Sequence, residues 1–220
     1  MTPHERLRAL GATLDRRDLP VYEGAGKDPC EPVLGLGPRE ARVAIFGRDP
    51  GRDEIKVGVP FVGAAGKLLR NGLHRALFAR DAVTPEDRMA VQGFFFWANM
   101  VPFKPLGNKA WPISTVRSFR PPILELFADA WDGTDVLCLG EGAFSWFGLD
   151  DRAVRDRLDA HWERPDRYEA HVEVAIGGRT LRLHPLPHPS PLNATWLPKF
   201  PGLLDARLRA IGISKDRWRT

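Results

Sequence analysis

Short apolar runs that alternate with helix-patterned segments constrain the fold of this chain more than any other feature. Four runs are typical of strands: Arg42–Phe46, Phe94–Val101, Val136–Leu139 and Leu181–Leu186. Apolar residues recur at helical spacing in the segments between them, including 69–77, 123–131 and 153–158. Strands that are apolar throughout and alternate with helices are typical of a parallel sheet covered on both faces. We predict an α/β fold, a three-layer α/β/α sandwich around a mostly parallel four-stranded central sheet.

Both ends of the chain carry helix signals, and a hairpin signal lies between them. Thr2-Pro3-His4-Glu5 has the form of a capping box with proline at the first helical position. Gly177-Gly178 separates the apolar segment Val172–Ile176 from the fourth run, which predicts a hairpin. Apolar residues at helical spacing predict a closing helix over 203–211. Since no repeat or linker interrupts the pattern, we expect one domain over residues 1–220.

Composition excludes several classes of protein. Hydrophobic residues make up 43% and charged residues 27%, which suits a globular core rather than a disordered chain. No run approaches the about 20 apolar residues that span a bilayer, and no signal peptide begins the chain, so we expect a cytoplasmic monomer without membrane contact. Cys30 and Cys138 are the two cysteines, too few for a four-cysteine zinc or iron–sulfur site. The net charge of +4 allows nucleic acid as a partner without requiring it.

Polar residues follow three of the predicted strands. Gly47-Arg48-Asp49-Pro50-Gly51 comes after the first run, Asn99 stands at the end of the second, and the fourth leads into His188-Pro-Ser190-Pro-Leu192. Ligands of open α/β sheets bind beyond the carboxyl ends of the strands. We therefore expect these residues to meet around one site.

The glycine-rich stretch Gly58–Lys67 has two functional interpretations. It fails the nucleotide-binding phosphate-loop pattern, because Lys67 is followed by Leu68 rather than Ser or Thr and the glycine spacing is different. The alternative is that its glycines let the backbone approach a ligand or a DNA phosphate closely.

Each polar residue at a strand end also has a purely structural interpretation. His184 and His188 could suggest a metal pair, but the prolines between and after them exclude a helix, and we predict no metal site. His188 alone could be a turn residue, Asp49 could cap the turn before Pro50, and Asn99 could cap a strand end. Their joint arrangement is harder to explain in this way.

Taken together, these motifs resemble the uracil-DNA glycosylase superfamily, most closely its family 4 branch, from Gly35 to about Phe200. Gly58-x-Pro-Phe61-Val-Gly63-x-Ala65-Gly66-x-Leu68-Leu69 is almost identical to the family 4 signature. Gly47–Gly51 looks like the water-activating motif, with its carboxylate at the family 1 position and Arg48 where family 4 carries Glu. His188–Leu192 is similar to the second catalytic motif, and Asn99 matches the asparagine that reads the pyrimidine edge.

The resemblance implies hydrolysis of the N-glycosidic bond of uracil, or of other deaminated bases, in DNA during base excision repair. Asp49 would orient the water, and His188 would stabilise the leaving base. Phe61 would stack on the extruded base, and Leu192 would act as the wedge in the DNA. The implied substrate-binding residues are Arg48, Gly51, Phe61 and Asn99, and the implied DNA-binding residues are Gly63, Gly66, Lys67, Ser190 and Leu192. A monofunctional enzyme that associates with the nucleoid through its DNA substrate is the expectation.

Two departures from the family pattern carry expectations of their own. Family 4 enzymes bind an iron–sulfur cluster through four cysteines, and Phe103 and Phe119 stand where two of them belong, so we predict a hydrophobic plug and no cofactor. Gly51 replaces the family 1 tyrosine that excludes the thymine methyl group, which relaxes the expected base selectivity. The loop Pro102–Trp111 lacks the histidine of a covalently trapping subgroup, so ordinary turnover is expected.

Three alternatives remain open on the sequence. A catalytically weak or silent DNA-lesion binder is one, because Arg48 changes the first motif. An enzyme with a preference for hypoxanthine or xanthine is another, since His and Asn contacts suit deaminated purines. A hydrolase of small nucleosides is disfavoured by Leu192 and by the basic balance.

Overall fold

The computed structural model describes residues 1–213, and a five-stranded sheet lies at its centre. The strands are β1 (Val43–Gly47), β2 (Phe96–Asn99), β3 (Asp135–Leu139), β4 (Val172–Ile176) and β5 (Arg179–Leu186). Their order in the sheet is β2-β1-β3-β5-β4, and all neighbouring pairs are parallel except β4 and β5. The predicted α/β class and the mostly parallel sheet are confirmed.

The sheet has five strands rather than the four predicted, because the hairpin adds an edge strand. Gly177 and Gly178 both have positive φ (58° and 77°), a conformation that glycine adopts without steric cost in a two-residue turn. The turn folds β4 back against β5, so that Val172 pairs with Leu183. The predicted hairpin therefore forms, and its first strand belongs to the central sheet.

Helices cover both faces of this sheet. They are α1 (Pro3–Ala12), α2 (Leu19–Gly24), α3 (Arg52–Val57), α4 (Ala64–Phe78), α5 (Pro85–Ala90), α6 (Ile113–Asp129), α7 (Glu141–Ser145), α8 (Arg152–Trp162) and α9 (Phe200–Ile211). The predicted capping box is present at α1, where Thr2 and Glu5 bond reciprocally to each other's backbone N–H groups. Within residues 1–213, no helix combines the length and hydrophobicity that a bilayer crossing requires.

Alternate residues of β1 supply the two halves of the core. Ala44 and Phe46 pack on the side of α1, α6 and α7, whereas Val43 and Ile45 pack on the side of α4 and α9. Successive side chains of a strand point to opposite faces, so a run that is apolar throughout requires cover on both sides. The sandwich follows directly from this pattern.

Helix α6 begins ten residues earlier than predicted. The sequence pattern indicated a helix over residues 123–131. Pro121 and Pro122 lie just before this pattern, and each removes a backbone hydrogen bond inside a helix. The structure carries the helix through both prolines. Val116, Phe119 and Ile123 lie at helical spacing and are all buried, so apolar contact with the core compensates for the lost hydrogen bonds.

Candidate active site

The carboxyl ends of the parallel strands open onto a cavity of about 780 Å³. Asp49 follows β1, Asn99 ends β2, His188 follows β5, and Phe61 reaches the same space from the loop before α4. Gly47 and Asn99 are paired across β1 and β2, which fixes these two strand ends side by side. The predicted convergence of these residues on one site is therefore observed. The volume of the cavity is in the usual range for a small-molecule site.

Most of the remaining predicted site residues line the same cavity, and one does not. The residues that do are Arg48, Gly51, Gly63, Gly66, Ser190 and Leu192. Leu192 is 95% exposed, as a side chain available to another molecule would be. Lys67 lies apart, in a neighbouring groove formed by α3, α4 and α5.

Asn99 presents an unused hydrogen-bond acceptor to this site. Its side chain is only 2% exposed, and its Oδ1 has no hydrogen-bond partner among residues 1–213. A Cβ on Gly47 would lie 2.9 Å from this oxygen and 2.7 Å from the ring of Phe61. Glycine at 47 therefore lets the amide and the aromatic ring approach each other. A buried amide left unpaired is costly and is expected where a ligand completes it.

The Phe61 loop, residues 60–63, is held from both sides by charged side chains. Glu54 Oε1 accepts hydrogen bonds from the N–H groups of Val62 (3.0 Å) and Gly63 (2.8 Å). On the other side, Arg70 donates to the carbonyl oxygens of Phe61 (2.7 Å) and Pro60 (3.0 Å). These contacts hold Phe61 at φ 58°, a left-handed backbone conformation that residues other than glycine rarely adopt.

Gly66 allows the same loop to fold tightly onto the start of α4. A Cβ at this position would lie 2.1 Å from the carbonyl carbon of Phe61, well inside contact distance. The Phe61 ring then packs against Trp97, with centroids 5.8 Å apart. Glycine at 66 is therefore a packing requirement of the loop.

Asp49 is buried and bonded to its neighbour. Its side chain is 7% exposed, and Arg48 Nε donates to its Oδ2. Burial, with a smaller contribution from the charge of Glu54, raises the pKa of the Asp49 carboxyl above its ordinary value. The hydrogen bond and charge of Arg48 and the charge of Lys104 offset only part of this rise. Ionisation of Asp49 thus depends on the two cations, because its burial favours the neutral acid.

Arg48 is itself anchored through the loop that follows β2. Its second terminal nitrogen donates to the carbonyl oxygen of Asn108 (3.3 Å), and Lys104 Nζ donates to Asn108 Oδ1 (2.6 Å). Lys104 is 2% exposed and forms an ion pair with Asp18 (3.1 Å). A polar network therefore runs from Asp18 to Asp49, and Asp18, Lys104 and Asn108 all line the cavity.

His188 faces the open cavity from the loop after β5. Desolvation of the imidazole by the surrounding protein, and the charge of Arg48, both lower the pKa of His188. The neutral imidazole is therefore favoured at neutral pH. Gly140, with φ 90°, lies against it: a Cβ there would be 3.1 Å from the Cβ of His188. The neutral ring can donate one hydrogen bond into the cavity.

His184 belongs to a different environment from His188. Its Nε2 hydrogen-bonds Asp135 Oδ1 (2.7 Å) at the beginning of β3, and Arg182 pairs with the same carboxylate. Among residues 1–213, no group of three or more His, Cys, Asp or Glu side chains is arranged to hold a metal ion.

The two positions aligned with cluster cysteines are filled by packed aromatic rings. Phe103 and Phe119 are buried and meet edge to face, with centroids 5.6 Å apart. The Phe103 ring also occupies the space beside Gly11, where a Cβ would lie 2.4 Å from it. Cys138 is buried within β3, and Cys30 lies beside Arg17. These residues do not fit an iron–sulfur cluster bound by four cysteines.

Sequence reasoning missed Glu54, Arg70, Lys104, Asp18 and Asn108. A signal existed for Arg70, since Gly66, Arg70, Leu73 and Leu77 form one stripe of α4 and a cation on an apolar stripe indicates a specific partner. No local pattern distinguishes the other four residues.

Comparison with known proteins agrees with this architecture. Residues 34–212 match the family model of the Uracil DNA glycosylase superfamily, so the chain belongs to that superfamily. A Type-4 uracil-DNA glycosylase of Archaeoglobus fulgidus is 57% identical to it over 51 residues, which make up 23% of this chain and 26% of the relative. The chain thus matches about a quarter of that relative's length. The resemblance to the superfamily is confirmed, and Asp18 lies outside the matched region.

Proposed function

We propose that this protein hydrolyses the N-glycosidic bond of uracil in DNA. The observation that carries the proposal is the convergence of a buried unpaired amide, an aromatic ring, a buried carboxylate and an imidazole in one cavity. The resemblance supplies the roles of these four groups, and the superfamily membership supports them.

Breaking this bond places positive charge on the sugar and negative charge on the departing uracil. The base first leaves the DNA stack, at a cost of a few kcal/mol in a duplex. Phe61 stacks on the extruded ring, and Asn99 pairs with its Watson–Crick edge. Leu192 fills the gap left in the stack, in the manner of apolar wedges in other DNA-bending proteins.

His188 and Asp49 then act on the two developing charges. Neutral His188 donates a hydrogen bond to the uracil oxygen as negative charge grows there, which is electrostatic stabilisation of a leaving anion. Ionised Asp49 orients the attacking water and faces the cationic sugar. Ser190 and the N–H groups of the Gly63–Gly66 segment bind phosphates and position the strand.

The rival function is a DNA-lesion binder with weak or no catalysis. The contact between Arg48 and Asp49 favours it, because a carboxylate engaged by an arginine is less free to orient water. Oligonucleotides carrying uracil, thymine, hypoxanthine or xanthine separate the two functions when base release is measured after alkaline cleavage of abasic sites. We expect release of uracil; tight binding of lesion-bearing DNA without release of any base would establish the rival.

We also propose that no iron–sulfur cluster is present and that the aromatic pair of Phe103 and Phe119 replaces it. The packing of these rings and the count of two cysteines support this proposal. Iron and acid-labile sulfide measured on anaerobically purified protein should be far below stoichiometric. About four irons per chain would contradict it.

A further inference from the structure

A second concave surface lies beside the candidate active site. It has a volume of about 500 Å³, and its walls come from α3, α4 and α5. Four cationic residues and one carboxylate line it, and we call it the basic groove: Lys56, Lys67, Arg70, Arg88 and Asp53. Within the part of the chain that the structure describes, the side chains of Lys56, Lys67 and Arg88 form no ion pair. They are therefore available to an anionic partner.

The basic groove adjoins the cavity at the Phe61 loop. Asp53 lines both of them, at their junction. Val62 faces the groove and Gly63 faces the cavity, and Glu54 binds the N–H groups of both. A strand with one nucleotide in the cavity therefore has the groove as a neighbouring surface.

The groove walls are linked by hydrogen bonds and are partly apolar. The guanidinium of Arg70 donates four hydrogen bonds, to the carbonyl oxygens of Pro60, Phe61 and Arg88 and to Gln92 Oε1. It therefore connects α4 to α5 and is not free to bind a ligand. Aliphatic surface from Val57, which is 55% exposed, and from Met89 lies between the free cations. Apolar surface flanked by cations suits deoxyribose faces flanked by phosphates.

We propose that the basic groove binds the sugar-phosphate backbone of the DNA strand where it leaves the extruded nucleotide. This inference rests on the proposed function, since the cavity must hold a nucleotide of the same strand. Lys56, Lys67 and Arg88 contact phosphates and carry no base information. The footprint of the protein thus extends past the cavity on the side of α3 and α5, and it gives Lys67 a phosphate partner outside the cavity.

The test compares two double variants in binding to an oligonucleotide that carries 2′-fluoro-2′-deoxyuridine, an analogue that resists hydrolysis. Lys56→Ala/Arg88→Ala removes two groove cations. The matched control, Arg152→Ala/Arg157→Ala, removes two exposed cations of α8, which packs on the opposite side of the sheet from α4. Affinity is measured at several NaCl concentrations, because each lost phosphate contact lowers the slope of log K against log[salt] by about 0.7–0.9.

The groove variant should bind about tenfold more weakly at about 0.1 M salt, with a slope shallower by about 1–2, and the control should match the parent. The loss should be equal for an oligonucleotide with thymine in place of the analogue. An unchanged slope in the groove variant, or an equal loss in the control, would overturn the proposal. Base release by the parent is scored separately: its absence would refute the proposed function, and the binding slopes would still decide the groove.

Discussion

Arg48 stands where the family 4 resemblance places Glu, and the structure shows what this arginine contacts. It donates to the buried carboxylate of Asp49 and is held by the carbonyl oxygen of Asn108. Burial alone raises the pKa of Asp49, and Arg48 works against that rise. The arginine thus favours the ionised form that water activation requires.

Replacing Arg48 should therefore make the proposed cleavage more sensitive to acid. In Arg48→Gln the pKa of Asp49 rises further, so the rate falls at a higher pH than in the parent as the medium is acidified. Single-turnover rates between pH 4 and pH 8 measure this, with a larger loss expected at pH 5 than at pH 8. Arg52→Gln, at another arginine lining the cavity, is the control. An Arg48→Gln profile lowered equally at every pH would disprove this role.

Glu54 shows how a single acceptor fixes the element that carries Phe61. Glu54→Gln keeps an oxygen able to accept from Val62 and Gly63, whereas Glu54→Leu leaves both N–H groups without it. We expect Glu54→Leu to lose about 1–3 kcal/mol of unfolding free energy and most of the proposed activity, and Glu54→Gln to lose much less. Urea unfolding and base-release rates check this. Equal losses in the two variants would contradict the acceptor role.

The loop after β5 should act chiefly on duplex DNA. Leu192 is almost fully exposed, so Leu192→Ala leaves the fold intact. Because a single strand has no stack to hold open, cleavage of uracil in a duplex should fall at least severalfold more than cleavage in a single strand. The ratio of the two rates, against Ile113→Ala as an exposed apolar control, is the readout. Equal losses on duplex and single-stranded DNA would contradict the proposed wedge role of Leu192.

Elements were predictable where the pattern was local. The four apolar runs correspond to β1, β2, β3 and β5, and the polar residues at the ends of β1, β2 and β5 line the cavity at one edge of the sheet. The length of α6 was not predictable from the sequence. Its two prolines disfavour a helix, whereas the burial of Val116 and Phe119 favours one, and only tertiary packing decides which effect is larger. The roles of Glu54 and Lys104 were not predictable for the same reason, because their hydrogen-bond partners lie in other elements.

At the scale of the whole molecule, a second polar cluster ties β3 to β5. Burial by itself raises the pKa of Asp135, but the hydrogen bonds and charges of His184 and Arg182 outweigh it and lower the value to about 2. A lowered carboxyl pKa contributes stability above the unfolded value, and this contribution disappears as the pH falls from about 4 to 2. His184, whose pKa is lowered by burial, adds a loss as the pH falls below about 6.5.

The Asp135→Asn variant should remove the carboxyl part of this acid sensitivity. The parent should lose about 1–2 kcal/mol more unfolding free energy than the variant between pH 4 and pH 2, allowing for solvent screening. Urea unfolding at several pH values measures the difference, with Asp132→Asn in an exposed pair as the control. Identical pH dependence in the parent and Asp135→Asn would show that this cluster does not titrate with folding.

In the proposed function, Asp49 and His188, brought to one cavity by the ends of β1 and β5, break the bond between uracil and its sugar. The most direct test of this proposal is the single-turnover rate of uracil release from one oligonucleotide by the parent, Asp49→Ala, His188→Ala and the double variant. His4→Ala, at an exposed histidine, serves as the control. We expect release by the parent and the control, release at least about a hundredfold slower by each single variant, and nearly unchanged DNA affinity in all of them. Release by the double variant at the parental rate would contradict the proposal.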